Sequence, residues 1–395
     1  MLGNFVSGLG TQAALVALPY QVYVQTESAL LTGLLGAVEL GPLIAMALLG
    51  GALADRSDRR RLLLLDQVGL VAVAAALCLA ALSGEPPIGL LFVLAGLLAG
   101  FGALQNVVRS AIVPNLVARR EDMPAALAVN FGLYQLTMVL GPGLGGLLIA
   151  AAGVEAAYAA DALSCLAVVG AVWAMSPQLP QVAGERLSIG RSIGEGLRFV
   201  RRSPALLGSF AIDLSAMSFG MPRALFPVLA ISVYGAGASG TGLLFASVSA
   251  GAVVAALTTR WLDHVRRLGV VTIAAVCAWG LAIAAVGLVG SLWAAAVLLA
   301  LAGAADSVSA VCRSVINQTV TPDALRGRMS SVYSLVVTSG PRVGDVEAGA
   351  VASLTSPRFS VVSGGVACVV CAGLVVAAFP ALMRYDKEEA LAALG

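Results

Sequence analysis

Runs of about 20 apolar residues, the length needed to cross roughly 30 Å of hydrocarbon, recur from one end of the chain to the other. They lie near 2–24, 29–53, 62–83, 88–110, 124–150 and 155–176, then near 205–230, 239–261, 269–289, 292–313, 329–353 and 358–381. Each is bounded by charge or by glycine and proline. Continuous rather than alternating hydrophobicity excludes an outer-membrane barrel. Of the 395 residues, 59% are hydrophobic and 11% charged, whereas a soluble domain usually carries about 25% charged residues. A soluble globule could not dispose of so much apolar surface, and a net charge of +2 gives nucleic acid little to hold. Cys78, Cys165, Cys277, Cys312, Cys368 and Cys371 all fall in apolar runs. They read as buried thiols rather than disulfides or a metal site. No nucleophile and base pairing, phosphate loop or metal spacing appears, so neither an enzyme nor a cofactor is expected. The expectation is an all-α membrane protein with twelve transmembrane helices.

Organisation follows from charge and repetition. The longest polar segment divides the chain into an N-terminal six-helix lobe (1–176), a linker (177–204) and a C-terminal six-helix lobe (205–395). Within the linker Ile189, Ile193, Leu197 and Val200 lie opposite Arg191, Glu195, Arg198, Arg201 and Arg202, a pattern that predicts an amphipathic helix on the membrane surface. Arginine and lysine collect in alternate connections, which places those connections and both termini in the cytoplasm, the protein being multi-pass in the cytoplasmic (inner) membrane. The first positive charge is Arg56, so the first span has no basic lead. A truncated start or a missing lead of a dozen or so residues is expected rather than a secretory signal. The halves also correspond. Gly33-Leu34-Leu35, Arg109-Ser110 and Gly141-Pro142 match Gly242-Leu243-Leu244, Arg313-Ser314 and Gly340-Pro341 in order and approximate spacing. Parallel six-helix repeats make a transporter with its site between the halves.

The connection after the second span reads Gly51-Ala52-Leu53-Ala54-Asp55-Arg56-Ser57-Asp58-Arg59-Arg60-Arg61. It resembles the signature between helices 2 and 3 of the major facilitator superfamily, with Asp58 where that pattern usually has glycine. Gly51, Asp55, Arg56, Arg59 and Arg60 would form a cytoplasmic latch. Asp55 would accept from the positive end of a helix, and the arginines would meet carboxylates and anionic lipid. Gly141-Pro142-Gly143-Leu144-Gly145-Gly146 resembles the core of the superfamily's exporter motif; glycines permit tight packing and proline bends the helix. Whole-chain resemblance is to the branch that includes enterobactin and macrolide exporters, on Ala17 to Tyr23, Phe219 to Pro227 and Ser339 to Gly349. It implies the major facilitator fold of two pseudo-symmetric six-helix lobes, alternating access, and proton-coupled export of amphiphilic small molecules such as drugs or siderophores. One position departs. Many proton-coupled drug exporters carry an arginine in helix 4 where this chain has Gly96, so proton coupling must use other residues.

Ionisable groups inside spans are costly and therefore informative. Asp213 and Asp306, with Glu39, are the candidate proton-coupling residues, because the proton affinity of a carboxyl in an apolar site changes as water enters or leaves. Glu39, Arg223, Arg342, Asp345 and Glu347 are expected to form an outer ionic network, either closing the cavity or serving as permanent salt bridges. Asp161 is assigned no function. Gln12, Gln21, Tyr20 and Tyr134 are candidates either for the substrate cavity or for helix-to-helix hydrogen bonds. The reading is a monomeric transporter whose partners are an amphiphilic small molecule, protons and membrane lipids. Uptake or lipid movement on the same fold, and a non-transporting membrane sensor or scaffold, are the rival readings.

Overall fold

The computed structural model describes residues 2–116, 123–174, 189–322 and 325–388. The described residues are mostly helical, and none of them lies in a strand. The helices are α1 (Leu2–Thr26), α2 (Ala29–Arg56), α3 (Arg59–Leu82), α4 (Ile88–Leu116), α5 (Met123–Trp173), α6 (Ile189–Arg202), α7 (Pro204–Phe219), α8 (Leu225–Val228), α9 (Gly237–Thr258), α10 (Leu268–Leu288), α11 (Leu292–Val320), α12 (Arg326–Leu354), α13 (Pro357–Ala378) and α14 (Pro380–Arg384). Eight of the described segments are long and apolar enough to cross a membrane, and α7 is a shorter apolar helix. Two compact units emerge: one comprises Met1–Arg186 with Ala230–Ala246, the other Leu187–Leu229 with Ser247–Gly395.

In the first unit α1 packs along α5. Ala13, Ala14, Ala17, Leu18 and Val22 meet Ile149, Ala157 and Tyr158, with Leu70, Leu77, Leu91 and Leu98 of α3 and α4 closing the core. Small residues set the spacing, as helix association in lipid requires. A Cβ on Gly141 would fall 2.5 Å from Gln12 Cβ, and one on Gly145 would fall 2.6 Å from Ala13 Cα. The exporter-motif glycines are thus contact surfaces for α1, and Gly146 approaches Gly242 of α9 just as closely. The long α5 combines the fifth and sixth apolar runs. It breaks at Gly153, whose φ of 84° is a conformation glycine adopts without strain.

The second unit repeats the device. Gly340 and Gly344 of α12 lie against α7, where added Cβ atoms would be 2.8 Å from Met217 Cβ and 2.6 Å from Ser218 O. The sequence predicts one continuous span over 205–230; the structure corrects this. Here α7 ends at Phe219, a turn follows, and short α8 runs into a π-helical turn at Leu229–Val233. The cause is Pro222, which lacks an N–H and disfavours helix in the residue before it. Two side chains satisfy the freed backbone groups. The buried Trp279 Nε1 donates to Gly220 O at 2.9 Å, and Asp345 Oδ1 accepts from Ala224 N at 2.8 Å. The amphipathic helix is present as α6, and its buried Val200 packs with Leu206, Phe210, Met329 and Val332.

Candidate functional site

The C-terminal unit contains a buried group of three charges. Asp213 projects from α7, Asp306 and Arg313 from α11; the latter two are seven residues apart and so share a helix face. The register between the helices is antiparallel. Ser209 Oγ donates to Asn317 Oδ1 at 3.3 Å, and one turn further along Arg313 Nη2 lies 2.9 Å from Asp213 Oδ1. The same Nη2 is 3.7 Å from Asp306 Oδ1, while Nη1 donates to Ser309 Oγ at 2.9 Å. Side-chain exposure is 1% for Arg313 and Asp213, against 22% for Asp306. The 2.9 Å approach is a charge contact rather than an aligned hydrogen bond, because neither Asp213 oxygen meets hydrogen-bond geometry with any described residue. Tyr333 of α12 lies beside the guanidinium.

This geometry does one chemical thing. Two carboxyls share one guanidinium, so one proton makes the triad neutral and its loss leaves a net negative charge in a site that is buried at Asp213 and Arg313 and reached from outside at Asp306. The two aspartates singled out from sequence are brought together. Arg313, the one cation that the sequence places a heptad from Asp306 on the same helix, is the counter-ion common to both. Its i+7 spacing from Asp306 and i+4 spacing from Ser309 were the available signals.

A second buried carboxyl escaped the sequence reading. Asp66 of α3 is 0% exposed; Gln67 Nε2 donates to its Oδ2 at 3.3 Å, and Oδ1 has no partner among the described residues. Asp161 is also buried and accepts from Thr11 Oγ1 at 3.0 Å.

The other candidates separate by role. Gln21 is buried and accepts from Tyr158 OH at 2.8 Å, while Gln12 Nε2 reaches Met138 Sδ at 2.8 Å. Both are helix-to-helix contacts, the second of the two roles open to them from sequence. Tyr20 is half-buried, and the side chain of Tyr134 lies outside the described residues. Of the latch, Gly51, Asp55 and Arg56 fall outside the residues whose side chains are described. Arg60 donates from Nε to Val172 O at 3.1 Å and from Nη2 to Trp173 O. It therefore caps the carbonyl end of α5, where a cation is favoured, rather than a carboxylate. Asp58, the departure from the signature, is the N-cap of α3 and accepts from Arg60 N at 3.0 Å. Arg59 heads the same helix. Glu39 is half-buried on α2; Arg342, Asp345 and Glu347 are half-buried on α12, where Asp345 holds the start of α8. At Gly96 an added Cβ would sit 3.4 Å from Pro42 Cγ and Val38 O, so this position faces α2.

Comparison with known proteins agrees with this architecture. A family model described as transmembrane secretion effector matches residues 1–393. The chain belongs to that family of major facilitator transporters. The enterobactin exporter EntS of Shigella boydii serotype 4 (strain Sb227) is 29% identical over 391 residues, covering 98% of this chain and 92% of the relative. EntS of Escherichia coli O139:H28 matches over the same lengths at the same identity. Among solved structures, the nucleoside transporter NupG (D323A mutant) superposes with a TM-score of 0.77 at 11% identity, covering 95% of this chain and 98% of that one. A bacterial homologue of the human lysosomal transporter Spinster gives 0.72 at 13% identity, covering 99% and 96%. The protein is a multi-pass membrane transporter of the major facilitator fold, not an enzyme.

Proposed function

We propose that this transporter is a proton-coupled exporter of amphiphilic small molecules, siderophores of the enterobactin type being the first cargo to test. It works as a monomer of twelve spans in the inner membrane, with lobes over 1–176 and 205–395, a linker over 177–204, both termini cytoplasmic and no cofactor beyond the proton gradient. The observation that carries the reading is the buried Asp213–Arg313–Asp306 triad. Breaking a buried ion pair leaves an uncompensated charge and costs roughly 3–5 kcal/mol. A proton arriving from the acidic side offsets that cost, and cargo entering the opposite state restores it. Proton and cargo thus alternate because they bias the same equilibrium in opposite directions.

Everted membrane vesicles test both direction and coupling. With their interior acidified, they should accumulate the siderophore, and Asp213→Asn should abolish the dependence on the gradient while retaining the wild-type unfolding profile. Unchanged pH dependence in that variant removes the triad from the mechanism. Accumulation only in right-side-out vesicles would replace export by uptake.

A further inference from the structure

At the basic end of the C-terminal unit the chain forms a pocket that the transport reading does not use. Its volume is about 320 Å³, and it is walled by Leu257 at the end of α9, Thr259 and Arg260 in the following turn, Leu268 at the start of α10, Cys312 on α11, and Lys387. Both charged residues lining it are cations.

Lys387 is carried by a strap that the structure fixes at several points. A Cβ on Gly269 would fall 1.8 Å from Leu382 O, which presses the strap onto α10. Tyr385 hydroxyl bonds to Thr319 Oγ1. The strap's acids, Asp386 and Glu388, both pair with Arg266, at 3.4 and 2.9 Å, and Lys387 N donates to Arg266 O at 2.9 Å. These contacts hold Lys387 at the wall of the pocket that Arg260 also lines.

Outside the pocket the surface changes character along one face. Trp261 is 49% exposed, Leu257 81% and Val254 63%. Val254 and Leu257, three residues apart on α9, share a face, and Trp261 follows in the tighter 3-10 turn Thr259–His264. Tryptophan favours the headgroup level of a bilayer, so Leu257 and Val254 lie progressively deeper, where acyl chains run.

We propose that this pocket is a specific site for one acidic glycerophospholipid, its phosphate between Arg260 and Lys387 and an acyl chain along Leu257 and Val254. Two cations lining one half-open pocket whose other walls are largely apolar match a phosphate attached to hydrocarbon, and basic pockets between membrane helices take such headgroups. An apolar cargo would gain nothing from the cations; a free anion would gain nothing from the apolar row. The bound lipid ties the strap to α9 and α11.

Native mass spectrometry of the purified full chain, titrated with phosphatidylglycerol or phosphatidylcholine, tests the site. One phosphatidylglycerol should be retained in preference to phosphatidylcholine. Arg260→Gln and Lys387→Gln should each weaken retention about fivefold, consistent with the value of one basic residue near a lipid surface. Arg260→Lys should largely restore it, and Arg384→Gln, the same charge removed nearby, should leave it unchanged. Unfolding in phosphatidylcholine checks that each variant is intact. Equal retention of the two lipids, equal retention by all variants, or displacement of the lipid by inorganic phosphate at equal concentration overturns the proposal.

Discussion

Arg313 decides whether the C-terminal unit holds a balanced charge group or two facing carboxyls. A guanidinium is planar and always charged, and it offers several donors at fixed angles; from one position it serves Asp213, Asp306 and Ser309. Arg313→Met keeps the volume and removes the charge, leaving two acids in a site 1% exposed at Asp213. The expected outcome is a loss of about 3–5 kcal/mol in detergent unfolding, smaller in Asp213→Asn/Arg313→Met because one carboxyl is then already neutral. A loss below about 1 kcal/mol would mean that the acids do not depend on the arginine. The aspartates were legible in the sequence because an acid in an apolar run has few explanations. The sequence also places Arg313 one heptad from Asp306, but an arginine near a helix end has a common explanation, loop charge, and nothing in the sequence shows that it reaches Asp213 on another helix. Asp66 was hidden similarly, five residues after Arg61 and so close to a charged connection.

Among the elements, the paired Gly-Pro-x-x-Gly stretches do the same work in each unit: α5 seats on α1 at Gly141 and Gly145, and α12 seats on α7 at Gly340 and Gly344. The next atoms at Gly145 and Gly344 are backbone, which cannot rotate away as a side chain can. Gly145→Val and Gly344→Val should therefore each destabilise by about 1–3 kcal/mol or more through overpacking. Gly102→Ala, with nothing within 4 Å of the new Cβ, should gain up to about 1 kcal/mol from helix propensity. Thermal unfolding in one detergent compares all three, and equal shifts would show that proximity to backbone is not what counts. Hydropathy made the helices legible as elements, since continuous apolar length is what a bilayer selects. Breaks were less legible. Glycine at 153 reads as another small residue until its positive φ is known, and the interruption at 220–224 depends on Trp279 and Asp345, partners remote in sequence that satisfy the opened backbone.

For the molecule as a whole, the proposed proton coupling makes the triad's charge balance set how steeply cargo should follow the proton gradient. Two carboxyls and one guanidinium become neutral on taking up a single proton, so a cycle run through this site alone exchanges one proton per cargo molecule. One pH unit is worth about 1.4 kcal/mol per proton. In proteoliposomes with the membrane potential clamped at zero, the limiting cargo ratio should therefore change about tenfold per unit of imposed pH difference. A hundredfold change would require a second proton, and the N-terminal unit holds two buried acids able to take it, Asp66 and Asp161. The two cases are separable by substitution. If the triad acts alone, Asp66→Asn and Asp161→Asn leave the tenfold slope in place and Asp213→Asn flattens it. If an N-terminal acid contributes, its replacement lowers a hundredfold slope to tenfold, and Asp213→Asn leaves a residual tenfold dependence. The slope thus counts protons without requiring knowledge of the rate, because it is read where net flux has stopped.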